Sequence, residues 1–180
     1  MRLSLDKSVL VLIDMQGKLA GLMHDKERLF ANLVILVKGA RILGVPIIWC
    51  EQNPRALGPT IPELVENLSG LSPIEKMSFS CCGDPAFDAA LHRVQRGQAV
   101  LCGIESHVCV YQTAADLKSK GLEVAVVADA VSSRSQDNKQ IALSRMQAEG
   151  VCLTSTEMLL FEWMRTARHG QFKEIAKLVR

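Results

Sequence analysis

Ala99-Val100-Leu101-Cys102-Gly103-Ile104-Glu105-Ser106-His107-Val108-Cys109 passes from an apolar run straight into polar residues. Ala99–Ile104 shows no polar alternation, so it reads as a strand buried on both faces, as in a parallel sheet. Ser106–Lys120 then takes a helical period and stops at Gly121. Strand followed by helix is one half of a βαβ unit, and the unit repeats in both directions along the chain.

Upstream, Val9–Asp14, Val45–Cys50 and Ile74–Ser78 read as strands one to three. Asp25–Leu43 is a helix with Leu29, Leu33, Leu36, Val37 and Ala40 on one face, stopped by Gly44. Ile61–Asn67 is a short helix with Pro62 in its first turn, and Asp84 with Pro85 opens a helix to Gln95. Downstream, Leu122–Ala128 and Val151–Leu153 are strands five and six, and Asp137–Glu149, Thr156–Arg165 and Gln171–Val179 are helices. The alternation predicts an α/β fold: a three-layer, doubly wound domain over residues 1–180, with a six-stranded, mainly parallel sheet of order 3-2-1-4-5-6 and helices on both faces.

Such a sheet binds its ligand at the carboxyl ends of its strands, where the strand order reverses. Here that point lies between strand one, which ends at Asp14, and strand four, which leads to Cys109. With Ser106 as N-cap, Cys109 falls in a helix first turn, where unpaired N–H groups and the helix dipole favour a thiolate. A buried cysteine packing the helix on the sheet fits the same position. Asp14 follows five apolar residues and is either a turn residue or a base for that thiol. Lys76, at the mouth of strand three, is a solvated lysine or a cation holding Asp14. His107 is two residues from Cys109 and so points to another side of the helix. It, Glu51, Gln16 and Phe79 are pocket candidates, and Glu51 reads equally well as a solvated loop carboxylate.

The bulk properties exclude several classes. Net charge is +2 and aromatics are 4% of the chain, without a basic-aromatic cluster, so nucleic acid is not an expected partner. No apolar run is long enough to cross a bilayer, and the N-terminus lacks the features of a signal peptide. The six cysteines therefore read as reduced thiols of a cytoplasmic protein, with Cys50, Cys102 and Cys152 in the core and the vicinal Cys81-Cys82 incidental. No phosphate-binding glycine loop and no Cys/His ligand spacing is present, so neither a cofactor nor a metal is expected.

Several stretches together resemble the isochorismatase-like cysteine hydrolases, especially the isochorismatase domain-containing subgroup. These are Val11-Leu12-Ile13-Asp14-Met15-Gln16, Glu51-Gln52-Asn53-Pro54-Arg55-Ala56-Leu57-Gly58, Glu75-Lys76, Gly103 to Cys109, Asp129 to Ser135, and Gln171 to Ile175. The resemblance implies a catalytic Asp14, Lys76 and Cys109, and a cis Ile104–Glu105 peptide. It also implies an oxyanion hole from the Glu105 and Cys109 amides, and a homo-oligomer. The apolar Met158–Met164 segment fits either a subunit contact or packing on the sheet. The Asp-x-His metal motif of the nicotinamidases in this superfamily is absent from Cys50-Glu51-Gln52-Asn53-Pro54. Cys109, which true isochorismatases do not keep, implies hydrolysis of a small amide, carbamoyl or ester substrate through a thioester. The alternatives are a binding or scaffold protein on the same fold, and a thiol-redox protein.

Overall fold

A computed structural model describes Met1–Arg180. Its sheet has six parallel strands: β1 (Ser8–Ile13), β2 (Ile47–Gln52), β3 (Ile74–Lys76), β4 (Gln98–Ile104), β5 (Glu123–Ser132) and β6 (Cys152–Thr154). The order is β3-β2-β1-β4-β5-β6, as expected. The helices are α1 (Gly17–Ala20), α2 (Lys26–Ile42), α3 (Pro54–Leu57), α4 (Pro62–Val65), α5 (Pro85–Val94), α6 (Tyr111–Ser119), α7 (Gln136–Ala148), α8 (Thr156–Met164) and α9 (Phe172–Leu178).

Two apolar layers explain why the strands lack polar alternation. Alternate residues of β1 divide between them, Leu10 and Leu12 to one side, Val9, Val11 and Ile13 to the other. The first layer is closed by α2, α4, α8 and α9, and the second by α5, α6 and α7. In α8, Leu159, Leu160, Trp163 and Met164 are buried within the chain. Packing therefore accounts for this apolar segment, and only Met158 is left as a large exposed hydrophobic on the helix.

Several boundaries differ from expectation, and three have a clear local cause. β5 continues past Ala128, because a register shift between Leu101 and Gly103 lets Val131 and Ser132 pair again with β4. Asp129, within this extension, accepts hydrogen bonds from Thr156 N at 2.8 Å and Thr156 Oγ1 at 2.9 Å at the start of α8. β3 stops at Lys76, since the chain curls so that the Ser78 and Phe79 carbonyls accept from Lys76 Nζ. Ser106 does not cap a helix: it lies inside a π-helical turn, Ser106–Val110, and its buried hydroxyl has no partner. Cys152, expected in the core, is only half-buried.

Gly103 lies opposite Ile13 at the end of β1. Its φ is +112°, and a Cβ there would fall 2.0 Å from the Ile13 carbonyl oxygen. Both the backbone conformation and the space exclude a side chain. Gly103→Ala is expected to cost about 3 kcal/mol and lower the melting temperature by about 6–12 °C. A calorimetric melting temperature within 2 °C or so of wild type would refute this close approach.

Candidate active site

β1 and β4 are neighbours whose helices leave on opposite faces, and their carboxyl ends open a cavity of about 110 Å³. Asp14, Glu105, Cys109 and Gln52 supply its polar wall, and Leu19, Leu57, Phe79, Ile104 and Val108 its apolar one. The cavity is small and open to solvent on one side.

Asp14 is the first residue after β1 and takes φ 54°. This left-handed conformation is one that Asp tolerates better than most side chains. The turn carries its carboxylate toward β3, where Lys76 Nζ donates to Asp14 Oδ2 at 2.7 Å. Parallel pairing places Lys76 beside Gln52, whose Oε1 accepts from the same ammonium at 2.9 Å. With the Ser78 and Phe79 carbonyls at 3.2 and 3.0 Å, Lys76 Nζ has four acceptors although its side chain is fully buried. This ion pair is thus both desolvated and well satisfied, the condition under which a buried pair persists.

The second Asp14 oxygen is different. Oδ1 is buried and has no partner in hydrogen-bond geometry. The Cys109 thiol lies close enough for the titrations of the two groups to be linked. Burial, and secondarily the Asp14 carboxylate, push the Cys109 thiol well above its ordinary value. Both causes act against the expectation of a dipole-lowered thiolate. Burial also raises the Asp14 carboxyl, although Lys76 pulls it down. Burial works against the Lys76 ammonium too, but Asp14 and the neighbouring thiols more than offset it and hold it above its ordinary value. These directions favour a neutral thiol beside the Asp14–Lys76 ion pair.

The Ile104–Glu105 peptide is cis. The Glu105 N–H has no acceptor within the protein, which leaves it available beside Cys109. The Glu105 side chain is held from outside, accepting at Oε2 from Arg134 N at 3.2 Å and Arg134 Nε at 3.1 Å.

Three expected pocket residues lie elsewhere. Gln16 is buried and fully engaged, donating to the Gln52 and Gly58 carbonyls and accepting from Gln52 N. Glu51 Oε1 accepts from Thr60 N at 2.7 Å and Thr60 Oγ1 at 2.6 Å, so it ties a loop to β2 rather than facing the cavity. His107 Nδ1 pairs with Ser133 Oγ at 2.9 Å, outside the cavity wall. Phe79 does line it. The sequence reading missed Gln52, although its place one residue beyond Glu51 and its register opposite Lys76 carried the signal. No three His, Cys, Asp or Glu side chains gather as a metal-ligating group, and no helix is long and apolar enough to cross a membrane.

The fold and cavity define a doubly wound α/β protein with a thiol, a carboxylate and an ammonium at its switch point. Residues 8–158 match the isochorismatase domain, and the chain belongs to the isochorismatase-like hydrolase family. It is 43% identical to isochorismatase domain-containing protein 2 of Danio rerio over 178 residues, 99% of this chain and 89% of that one. Among solved structures, the MAR1 ribonuclease of Caenorhabditis elegans is 38% identical with a TM-score of 0.93, over 99% of this chain and 92% of that one. The YcaC product of Escherichia coli, described as an octameric hydrolase of unknown specificity, shares the fold at a TM-score of 0.93 and 24% identity, over 99% and 89%.

Proposed function

We propose that the chain is a cysteine hydrolase of small amide, carbamoyl or ester substrates. The observation that carries this is the divided role of Asp14, with Oδ2 fixed by Lys76 and Oδ1 without a partner, in a carboxylate whose titration is linked to that of Cys109. In this reading Asp14 Oδ1 takes the thiol proton as the sulfur attacks the substrate carbonyl carbon. Because the resting thiol is neutral, proton transfer and attack are linked. The N–H groups of Glu105 and Cys109 receive the developing oxyanion. The tetrahedral intermediate collapses, the C–N bond breaks, and Asp14 returns the proton to the departing amine. Water then attacks the thioester, gives its proton to Asp14, and releases the acid and the Cys109 thiol. A homo-oligomer in a reducing, cytoplasmic setting fits this reading, with six free cysteines and an octameric relative of the same fold.

The ribonuclease relative raises RNA as a rival substrate. A cavity of about 110 Å³ with five apolar lining residues favours a small molecule over a nucleotide. The decisive assay is ammonia release from a panel of small amides and carbamoyl compounds, with RNA cleavage measured in parallel. RNA cleavage without amide turnover would overturn the proposal.

Alkylation tests the base independently of any substrate. Iodoacetamide is expected to label Cys109 ahead of the half-buried Cys82 and Cys152. Asp14→Asn should slow that labelling by about 10²-fold or more, because the base is gone. Were Cys109 a free-standing thiolate, removing the neighbouring anion would instead speed it. Faster labelling of Asp14→Asn by peptide mapping would therefore sink the mechanism.

A further inference from the structure

The cavity's polar groups divide unequally between donors and acceptors. Gln52 lines it, but its Oε1 accepts from Lys76 and its Nε2 donates to the Met77 carbonyl at 2.8 Å. Lys76 is saturated by its four acceptors. Among the side chains of the lining residues, two carboxylate oxygens have no partner. One is Asp14 Oδ1, reserved in the proposed mechanism for the thiol proton. The other is Glu105 Oε1, which has no protein partner yet is not sealed away as an orphaned buried atom.

We infer that the Glu105 carboxylate sets the specificity of this cavity, selecting small neutral or cationic substrates that present an N–H donor and rejecting carboxylates. The inference rests on the cysteine-hydrolase reading and narrows its substrate class. The charges support it. Lys76 balances Asp14 inside the protein. Arg134, in contrast, balances Glu105 from a position 61% exposed, while the Glu105 side chain is only 10% exposed. Water screens the outer cation more than the inner anion, so apart from the two backbone N–H groups of the oxyanion cradle the cavity presents acceptors and a net negative side-chain charge. A substrate carboxylate would meet no free side-chain donor and a like charge. An amide or carbamoyl NH2 would give Oε1 its missing hydrogen bond. Holding Oε2 from both Arg134 groups keeps the carboxylate in place for this task.

Iodoacetamide and iodoacetate form a matched pair of probes, alike in size and differing in NH2 against O⁻. In both, the Cys109 sulfur bonds to the CH2 carbon, the C–I bond breaks, iodide leaves and Asp14 accepts the thiol proton. The quantity to measure is the ratio of the two rates at Cys109 by peptide mass spectrometry, divided by the same ratio for glutathione. In the wild type it should exceed one by about tenfold or more, the effect of ~1.4 kcal/mol of charge discrimination. Glu105→Gln keeps the shape and the backbone N–H, and should lower the ratio at least about fivefold. Arg134→Gln removes only the outer cation and should raise it. Because both rates are read on one thiol, a general loss of stability cancels. A Glu105→Gln ratio equal to wild type overturns the inference, as does a fall in the ratio for Arg134→Gln. Failure of both probes to reach Cys109 would instead refute the nucleophile reading, and this inference with it.

Discussion

Cys109→Ser releases no measurable ammonia from any amide that the wild type hydrolyses, a loss of at least about 10⁴-fold in kcat. The expectation follows from the resting charges. The wild-type site already works against ionising Cys109, since burial and Asp14 both favour the neutral thiol. A thiol overcomes this because sulfur is intrinsically nucleophilic and ionises in an accessible range. A serine hydroxyl in the same cradle begins far higher and meets the same penalty. The substitution should leave the fold intact. Cys109 belongs to the second apolar layer, and exchanging sulfur for oxygen there costs about 1–2 kcal/mol. Folding and catalysis are thus separable, and a circular-dichroism melt beside the ammonia assay reads both. Turnover by Cys109→Ser within tenfold of wild type would place the nucleophile elsewhere.

The legibility of this site followed what each residue type does locally. Asp14 stood out because a carboxylate rarely ends a wholly apolar strand, and Gly103 to Cys109 because an apolar strand there runs directly into a helix. The strand order followed from the alternation of elements and the right-handed crossover rule. Lys76 was different. Nothing in Glu75-Lys76 distinguishes a solvated lysine from a buried one until the register of β3 on β2 places its ammonium against Asp14. Two expected pocket residues show the same dependence in reverse. Gln16 and Glu51 sit at the right edge of the sheet, but their hydrogen bonds go to Gln52, Gly58 and Thr60, which only the folded loops bring near. Local pattern marks an edge as functional, while tertiary hydrogen bonding decides which of its polar groups remain free. Cys109 carries the same lesson for charge: its place in a first turn suggests a thiolate, and the surrounding burial pulls the other way.

Lys76→Met separates the electrostatic core of the site from its shape, since methionine nearly matches the lysine stem but leaves Asp14 without its cation. Breaking a buried pair from one side costs about 3–5 kcal/mol, so the variant should be markedly less stable at neutral pH. The loss should depend on pH in a definite sense. Burial already raises the Asp14 carboxyl above its ordinary value against the pull of Lys76, and without Lys76 it must rise further. A carboxyl raised on folding binds its proton more tightly in the native than in the unfolded chain. The native state is then favoured at low pH, and stability falls as pH climbs from the unfolded carboxyl value through the raised native one. The deficit of Lys76→Met against wild type should accordingly be small near pH 4 and grow to its full size by about pH 8. Denaturant melts across that range measure it directly. Catalysis should fall about 10²–10⁴-fold at neutral pH, because a protonated Asp14 cannot accept the thiol proton, and the acid limb of any residual activity should move upward. Adding Asp14→Asn to Lys76→Met removes the stranded charge, so stability should return toward wild type while turnover stays lost. A single variant with a deficit independent of pH, or a double variant no more stable than the single, would show that Lys76 fills space at this site rather than holding the charge of Asp14.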